Sequence, residues 1–240
     1  MIQVEHLTKR YGKFTAVNDI SFEVKSGEVF AFLGPNGSGK TTTMKSIIGL
    51  NVPTSGRVLI NGLDVQTNPK EARRFLSYLP QRVVFPENLT AREIIHFYAR
   101  LRKLPKAVAD EALARARFNG FSDKLVSEFS GGMTQRLGLA VASLPDVPIL
   151  LLDEPTANLD PQGVKRFREF ILEQKERKKT IIFSTHLLAE AEQLADRVGI
   201  FVTSKLVAIE SIENLRSMYL ANKTIEDMYL HYVGEYYHEE

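Results

Sequence analysis

The sequence predicts an α/β protein whose core is a parallel sheet covered by helices, with an antiparallel β portion at the N-terminus and a helical insert. Three observations predict it. The short apolar runs EVFAFL, VPILLLD, TIIFSTH and RVGIFVT read as buried strands separated by helix-patterned segments, the rhythm of a parallel sheet. The first thirty residues alternate in strand fashion instead, in IQVEHL and FTAVNDISFEV. From Thr90 to about Arg117, Ile94, Ile95, Phe97, Tyr98 and Leu101 recur at helical spacing.

Taken in order, Ser26-Gly27 leads into EVFAFL, a glycine-rich loop follows, and a helix is expected from about Lys40 to Leu50. Pro53 and Ser55-Gly56 punctuate a hairpin-like stretch, RVLINGLDV, ahead of a short charged helix at about Pro69 to Arg74 and a short strand, LSYLP. Pro105 divides the helical insert in two, because proline removes a helical N–H and clashes with the preceding turn. Helices are expected from Pro161 and from Leu187, and from Ser211 onward one or two short amphipathic helices lead to the tail EYYHEE. The organisation expected is one main domain over residues 1–210, with a helical part at about 82–143 inserted, and a helical extension over 211–240.

With 240 residues, 44% of them hydrophobic, the chain can bury a full core. Its 31 basic and 29 acidic residues leave a formal net charge of +2, so no broad field draws it to nucleic acid or anionic lipid. Cysteine is absent, which excludes disulfides, thiolate metal sites and cysteine nucleophiles and suits a reducing compartment such as the cytosol. The start MIQVEHLTKRYGK lacks an apolar signal region, and stretches such as Val147 to Leu152 fall far short of the roughly 18 residues a membrane span needs. The five histidines (6, 96, 186, 231 and 238) show no metal-ligand spacing, and the run Lys175 to Lys179 reads as a solvated helix end complementing the dipole.

The chemistry begins at Gly34-Pro35-Asn36-Gly37-Ser38-Gly39-Lys40-Thr41, between an expected strand and an expected helix, the context that a phosphate-binding P-loop requires. Glycines let the backbone wrap a phosphate with its N–H groups pointing inward, and the helix N-terminus adds partial positive charge. Lys40 would reach the outer phosphates, Thr41 would hold Mg²⁺ through its hydroxyl, and Thr42 follows in the same first turn as a further binding candidate. The alternative is a plain glycine-rich turn, which the flanking strand and helix argue against.

Asp153 and Glu154 end the apolar strand ILLL, 113 residues beyond Lys40, at the sheet edge where α/β proteins place ligands. Asp153 is a candidate Mg²⁺ ligand through the ion's water shell, and Glu154 is placed to polarise the water that attacks a γ-phosphate. Without the P-loop the pair would read as an acidic helix cap. Ser130-Gly131-Gly132 opens another helix with exposed N–H groups and a dipole suited to an anion, a second phosphate-binding candidate. Asp160, followed by Pro161, suits a helix N-cap.

The segment Phe129-Ser130-Gly131-Gly132-Met133-Thr134-Gln135-Arg136 closely resembles the LSGGQ signature of the ATP-binding-cassette (ABC) family, and the resemblance runs from Tyr11 to about Thr203. Phe129 and Met133 depart from the usual leucine and glutamine, so any polar contact of that glutamine is missing. The resemblance implies a P-loop NTPase fold of RecA type with a helical signature subdomain. It implies ATP hydrolysis with Mg²⁺ and two cassettes sandwiching two nucleotides, Ser130, Gly131 and Gly132 serving the ATP on the partner's P-loop. A homodimer is then sufficient. By the same resemblance Tyr11 stacks on adenine, Gln81 is the Q-loop glutamine near the metal and the reacting phosphate, Asp160 belongs to the D-loop, and His186 contacts the γ-phosphate or the attacking water. On the residues alone, Tyr11 also reads as packing, Gln81 as a loop residue, His186 as a structural histidine and Asp160 as the N-cap.

A member of this family is expected at the cytoplasmic face of a membrane, bound to a separate permease and not to nucleic acid. The stretch VVFPENLTAREIIHFYARLRKLP, with the C-terminal extension, looks like cassettes serving ABC-2-type permeases, so export is expected over import. The other class to weigh is a soluble cassette acting on ribosomes or DNA; the single cassette, and the separation of Lys40 from Asp153 by only 113 positions, too few for a long coiled-coil insert, speak against it.

Overall fold

The computed structural model describes residues 1–118, 120–219 and 234. Two sheets and a group of helices make up the described chain. Strands β1 (Ile2–Tyr11) and β2 (Phe14–Val24) form an antiparallel hairpin, and the chain then enters β3 (Val29–Leu33), every residue of which is buried. Helix α1 (Lys40–Ile47) follows the glycine loop and stops short of the expected Leu50. Strands β4 (Ser55–Ile60) and β5 (Leu63–Asp64) pair antiparallel across Asn61-Gly62, both in left-handed backbone as such a turn demands. Helix α2 (Pro69–Ala72) and a 3-10 turn precede β6 (Leu76–Leu79).

The insert holds α3 (Ala91–Leu101), α4 (Lys106–Arg115) and α5 (Gly131–Ser143), with Pro105 at the N-cap of α4. A reciprocal capping box starts α3: Thr90 accepts from the Glu93 N–H, and Glu93 accepts from the Thr90 N–H. The remainder alternates as β7 (Ile149–Leu152), α6 (Pro161–Glu176), β8 (Thr180–Thr185), α7 (Leu188–Leu194), β9 (Arg197–Val202), β10 (Lys205–Ser211) and α8 (Ile212–Tyr219). The expected extension from Ser211 begins with α8; beyond Tyr219 it lies outside the described residues, Gly234 apart.

The larger sheet runs β10-β9-β3-β8-β7-β6, parallel except for β10, and the smaller runs β2-β1-β4-β5. Because successive side chains on a strand face opposite ways, β3 serves two cores. Phe30 and Phe32 join Phe22, Met44 and Phe201 between the sheets, while Val29, Ala31 and Leu33 join Phe167, Ile171 and Phe183 beneath the helices of the other face. A third cluster joins α3, α4 and α5 through residues including Ile94, Leu113 and Leu137, with Phe118 from just beyond α4. The strand β10 was not expected from the sequence, and β1 runs past IQVEHL to Tyr11 through irregular register at His6, whose φ is 50°.

Candidate functional site: a phosphate cradle facing two carboxylates

Helix α1, β7 and β8 bring the cradle and the acidic pair together. The loop from Gly34 to Gly39 leaves the C-terminal end of β3, and β3 is parallel to β8, which is parallel to β7, so three strand ends open on one edge. Two of the glycines are required sterically. A Cβ on Gly34 would lie 2.3 Å from the Phe201 carbonyl oxygen, and one on Gly39, at φ 108°, would lie 2.6 Å from that of Ala16. The buried Ser38 hydroxyl has no hydrogen-bond partner, which fits a site that expects a further acceptor.

Lys40 is buried, and its ammonium donates to the carbonyls of Gly34 at 2.7 Å and Pro35 at 3.0 Å. Glu154 Oε1 stands 3.6 Å from Lys40 Nζ without hydrogen-bonding to any group. Burial pulls the Lys40 pKa below its usual value, against the raising effect of Glu154 and then Asp153.

Asp153 is fully buried and receives three hydroxyls: Ser184 Oγ at 2.6 Å and Thr41 Oγ1 at 3.1 Å on Oδ1, and Tyr78 Oη at 3.4 Å on Oδ2. Burial first, and the Asp153 charge second, push the Tyr78 phenol well above its ordinary pKa, so it stays a donor. Glu154 adopts a left-handed backbone at φ 45°, uncommon for a residue with a side chain, and its N–H donates to Ser184 Oγ at 2.8 Å. That turn aims the carboxylate at the cradle, where His186 Nδ1 lies 3.0 Å from Glu154 Oε2. Lys40, Thr41, Asp153, Glu154 and His186 thus form one contiguous centre.

Tyr78 and Ser184 were missed on sequence. Their one signal is a hydroxyl or phenol in strands otherwise apolar (LSYL and TIIFST), and their contact with Asp153 depends on cross-strand register. Gln81 stands exposed two residues beyond β6, with no hydrogen bond to the centre. Tyr11 is 48% exposed at the end of β1, its ring under Lys9 Nζ at 4.8 Å.

The second phosphate-binding candidate lies elsewhere. Ser130 caps α5, accepting from the Met133 N–H at 3.3 Å, and Gly131 and Gly132 face Asn158 of the loop leading to α6. Asp160 caps α6 by accepting from the Gly163 N–H at 2.6 Å, as its local sequence predicts. Buried Gln135 ties α5 to that loop by donating to the Pro155 carbonyl at 3.1 Å. These residues line a cleft that contains no residue of the cradle.

The sequence profile of the family described as "ABC transporter" matches residues 17–157, which include the cradle, Ser130-Gly131-Gly132 and both carboxylates. The chain belongs to the ABC transporter family. Bacitracin transport ATP-binding protein BcrA of Bacillus licheniformis is 42% identical over 218 residues, covering 90% of this chain and 71% of that relative. The probable multidrug ABC transporter ATP-binding protein YbhF of Escherichia coli (strain K12) is 35% identical over 90% of the chain, which spans only 38% of that longer relative. A solved ATP-binding subunit of an ABC transporter superposes with a TM-score of 0.87 at 31% identity, over 97% of this cassette and 99% of that chain. An ATP-binding cassette solved as a dimer in a post-hydrolysis state bound to ADP and Pi superposes with a TM-score of 0.80 at 25% identity, over 88% of this chain and 99% of that chain. A second profile, described as an AAA domain, matches the shorter segment 125–191. The α/β fold of this cassette is that of a P-loop NTPase, and the chain is an ATP-binding, ATP-hydrolysing transporter subunit.

Proposed function

We propose that this subunit binds MgATP in the Gly34–Thr42 cradle, hydrolyses it at Glu154 in a head-to-tail pair of cassettes, and thereby drives a separate membrane-embedded permease. The observation that carries the reading is the convergence of Lys40, Glu154 and His186 within hydrogen-bonding or ion-pair reach at 3.6 Å and 3.0 Å. Outer phosphates of ATP would displace Lys40 from the Gly34 and Pro35 carbonyls. Glu154 would then take the proton of an attacking water, with His186 holding water or phosphate in place.

Thr41 and Asp153 offer hard oxygen donors 3.1 Å apart, and the described residues contain no cluster of three or more metal-binding side chains. That donor set fits Mg²⁺, which keeps several waters and shares phosphate oxygens, and the ion would neutralise charge on the reacting phosphates. Gln81 is proposed to approach this metal when nucleotide is bound, Tyr11 to stack on adenine, and Ser130, Gly131, Gly132 and Asp160 to serve the partner cassette's ATP. The proposed organisation is a main domain over 1–210 with a helical part at about 82–143, and an extension over 211–240.

No described helix is long and apolar enough to cross a membrane, and the proposed partner is a permease that spans one. Docking at the cytoplasmic face is supported by the family and by relatives named for bacitracin transport and for linearmycin resistance, which also favour export. Exposed Val84, Phe97 and Leu101 offer the insert an apolar contact surface. The test is to tag the Glu154→Gln variant, isolate it with ATP from detergent-solubilised membranes of its own organism, and identify what co-purifies. A polytopic membrane protein at equal stoichiometry is expected; a soluble dimer bound to ribosomes or nucleic acid would overturn the transport reading.

A further inference from the structure

A cleft of about 970 Å³ separates α4 and α5 from α6, the size range of small-molecule sites. Its floor is apolar, with Leu139, Ala140 and Phe167 contributed from both sides. Arg136 lines it from α5, and Arg166 faces the same space from α6. The Arg115 and Arg177 guanidiniums in this cleft are matched, the first to Glu111 and Glu173 and the second to Asp146. Arg136 is not. Among the described residues it has no hydrogen bond and no ion pair, its buried Nε lacks any acceptor, and its guanidinium rests on the Phe118 ring at 5.0 Å. Arg166 has only the neutral Gln162 amide oxygen, at 3.0 Å. Burial lowers the Arg136 pKa, and the neighbouring Arg166 charge lowers it further, with Asp160 opposing. Two cations thus share a cleft, lined also by Glu111, Asp160, Glu169 and Glu173, without an acidic side chain in ion-pair contact with either, and an unsatisfied buried donor such as Arg136 Nε is uncommon in folded proteins.

We propose that this cleft binds a small amphipathic anion, an anionic oxygen head held between Arg136 and Arg166 with an apolar body over Leu139 and Phe167. A guanidinium fork suits such a head, and the apolar floor suits the body. The site is separate from the phosphate cradle and lies deeper along α5 than the capped residues Ser130 to Gly132. Its walls come from the helical insert on one side and the nucleotide-binding core on the other, so an occupant bridges them and fixes the angle at which α5 presents its N-terminus. Ligand there would therefore regulate how the signature segment meets a partner's nucleotide.

The probe is octyl phosphate below its micelle-forming concentration, titrated calorimetrically into the whole chain with saturating ADP present. Saturable binding at one molecule per chain is expected, with inorganic phosphate and octyl glucoside each at least about ten-fold weaker, because each lacks one half of the recognition. Arg136→Gln is expected to weaken octyl phosphate at least about ten-fold, the worth of a charge-assisted hydrogen bond. Arg166→Gln serves the same purpose should Arg136→Gln fail to fold. Backbone hydrogen exchange is expected to slow in both α4 and α6. The proposal is overturned by absence of saturable binding, by unchanged affinity in the folded variants, or by equal binding of octyl glucoside.

Discussion

The cradle centre and the signature segment both lie at helix N-termini, yet they are built to opposite specifications. Around Lys40 the chain supplies everything from within: the ammonium is buried, Asp153 is gripped by three hydroxyls, and Glu154 is held in a left-handed turn against Ser184. Around Ser130 it supplies a cap and two glycines, with Ser130 and Gly131 exposed and no acidic or basic side chain hydrogen-bonded to them. Burial and multiple hydrogen bonds make the first region rigid before any ligand arrives. The second has no such shell, which is what a surface completed by another molecule requires. The difference is the one that the proposed function requires: proton chemistry local to one chain, and a signature that contributes only when something is brought to it.

The largest expected effect breaks the first half of this contrast. Glu154→Gln is expected to leave ATP binding intact and to slow hydrolysis by roughly 10² to 10⁴, the worth of a positioned general base; single-turnover hydrolysis alongside equilibrium ATP binding checks it. Unchanged turnover would remove Glu154 from its assigned role. Next, Lys40→Ala is expected to weaken nucleotide binding itself, since no other described cation hydrogen-bonds the cradle carbonyls, and unaltered ATP affinity would count against the cradle.

A smaller effect tests the rigidity of the cradle's backbone. Gly39→Ala would force a Cβ to 2.6 Å from the Ala16 carbonyl at a left-handed φ, and a loss of about 1–3 kcal/mol is expected in denaturant unfolding. Neither neighbour of Gly131 comes closer than 3.4 Å, so Gly131→Ala is expected to leave folding stability within about 1 kcal/mol. If the two substitutions cost the same, the contrast in construction is wrong.

The smallest effect lies away from both regions. The Lys179 ammonium at 3.0 Å holds the Asp146 carboxyl below its usual pKa. A depressed carboxylate stabilises the fold above its unfolded pKa and loses that contribution as pH falls through the folded value. Because Asp146 is 80% exposed, Asp146→Asn is expected to cost no more than about 1 kcal/mol at neutral pH, and the difference from the parent chain should vanish in acid below the usual carboxylate range.

What the sequence made legible follows from what is local in it. Gly34 to Thr41, Asp153-Glu154 and Ser130 to Gly132 are contiguous patterns whose chemistry depends on neighbours in the chain, and the N-cap of Asp160 is likewise a three-residue matter. Tyr78 and Ser184 were illegible because their contacts with Asp153 span 75 and 31 residues and arise only once β6, β7 and β8 are in register. Strand β10 escaped notice for a different reason. It returns along β9 through Thr203 and Ser204, both in left-handed backbone at φ 39° and 69°, without the glycine or asparagine that announces such a turn. The unmatched guanidinium of Arg136 was equally hidden, since a single arginine in a helix says nothing of its partners.

The most direct test of the contrast is to mix two variants of this chain, each damaged in one region. Ser130→Arg spoils the signature and leaves the hydrolytic centre intact, while Glu154→Gln does the reverse, so each alone is expected to hydrolyse ATP at a small fraction of the parent rate. In an equal mixture about half the pairs carry one of each, and one of the two sites in such a pair is whole, so hydrolysis should return to at most about a quarter of the parent rate. Recovery on mixing would establish that a hydrolytic centre complete in one chain works with a signature borrowed from another. Full activity of Ser130→Arg by itself, or no recovery from two folded, ATP-binding variants, would contradict it.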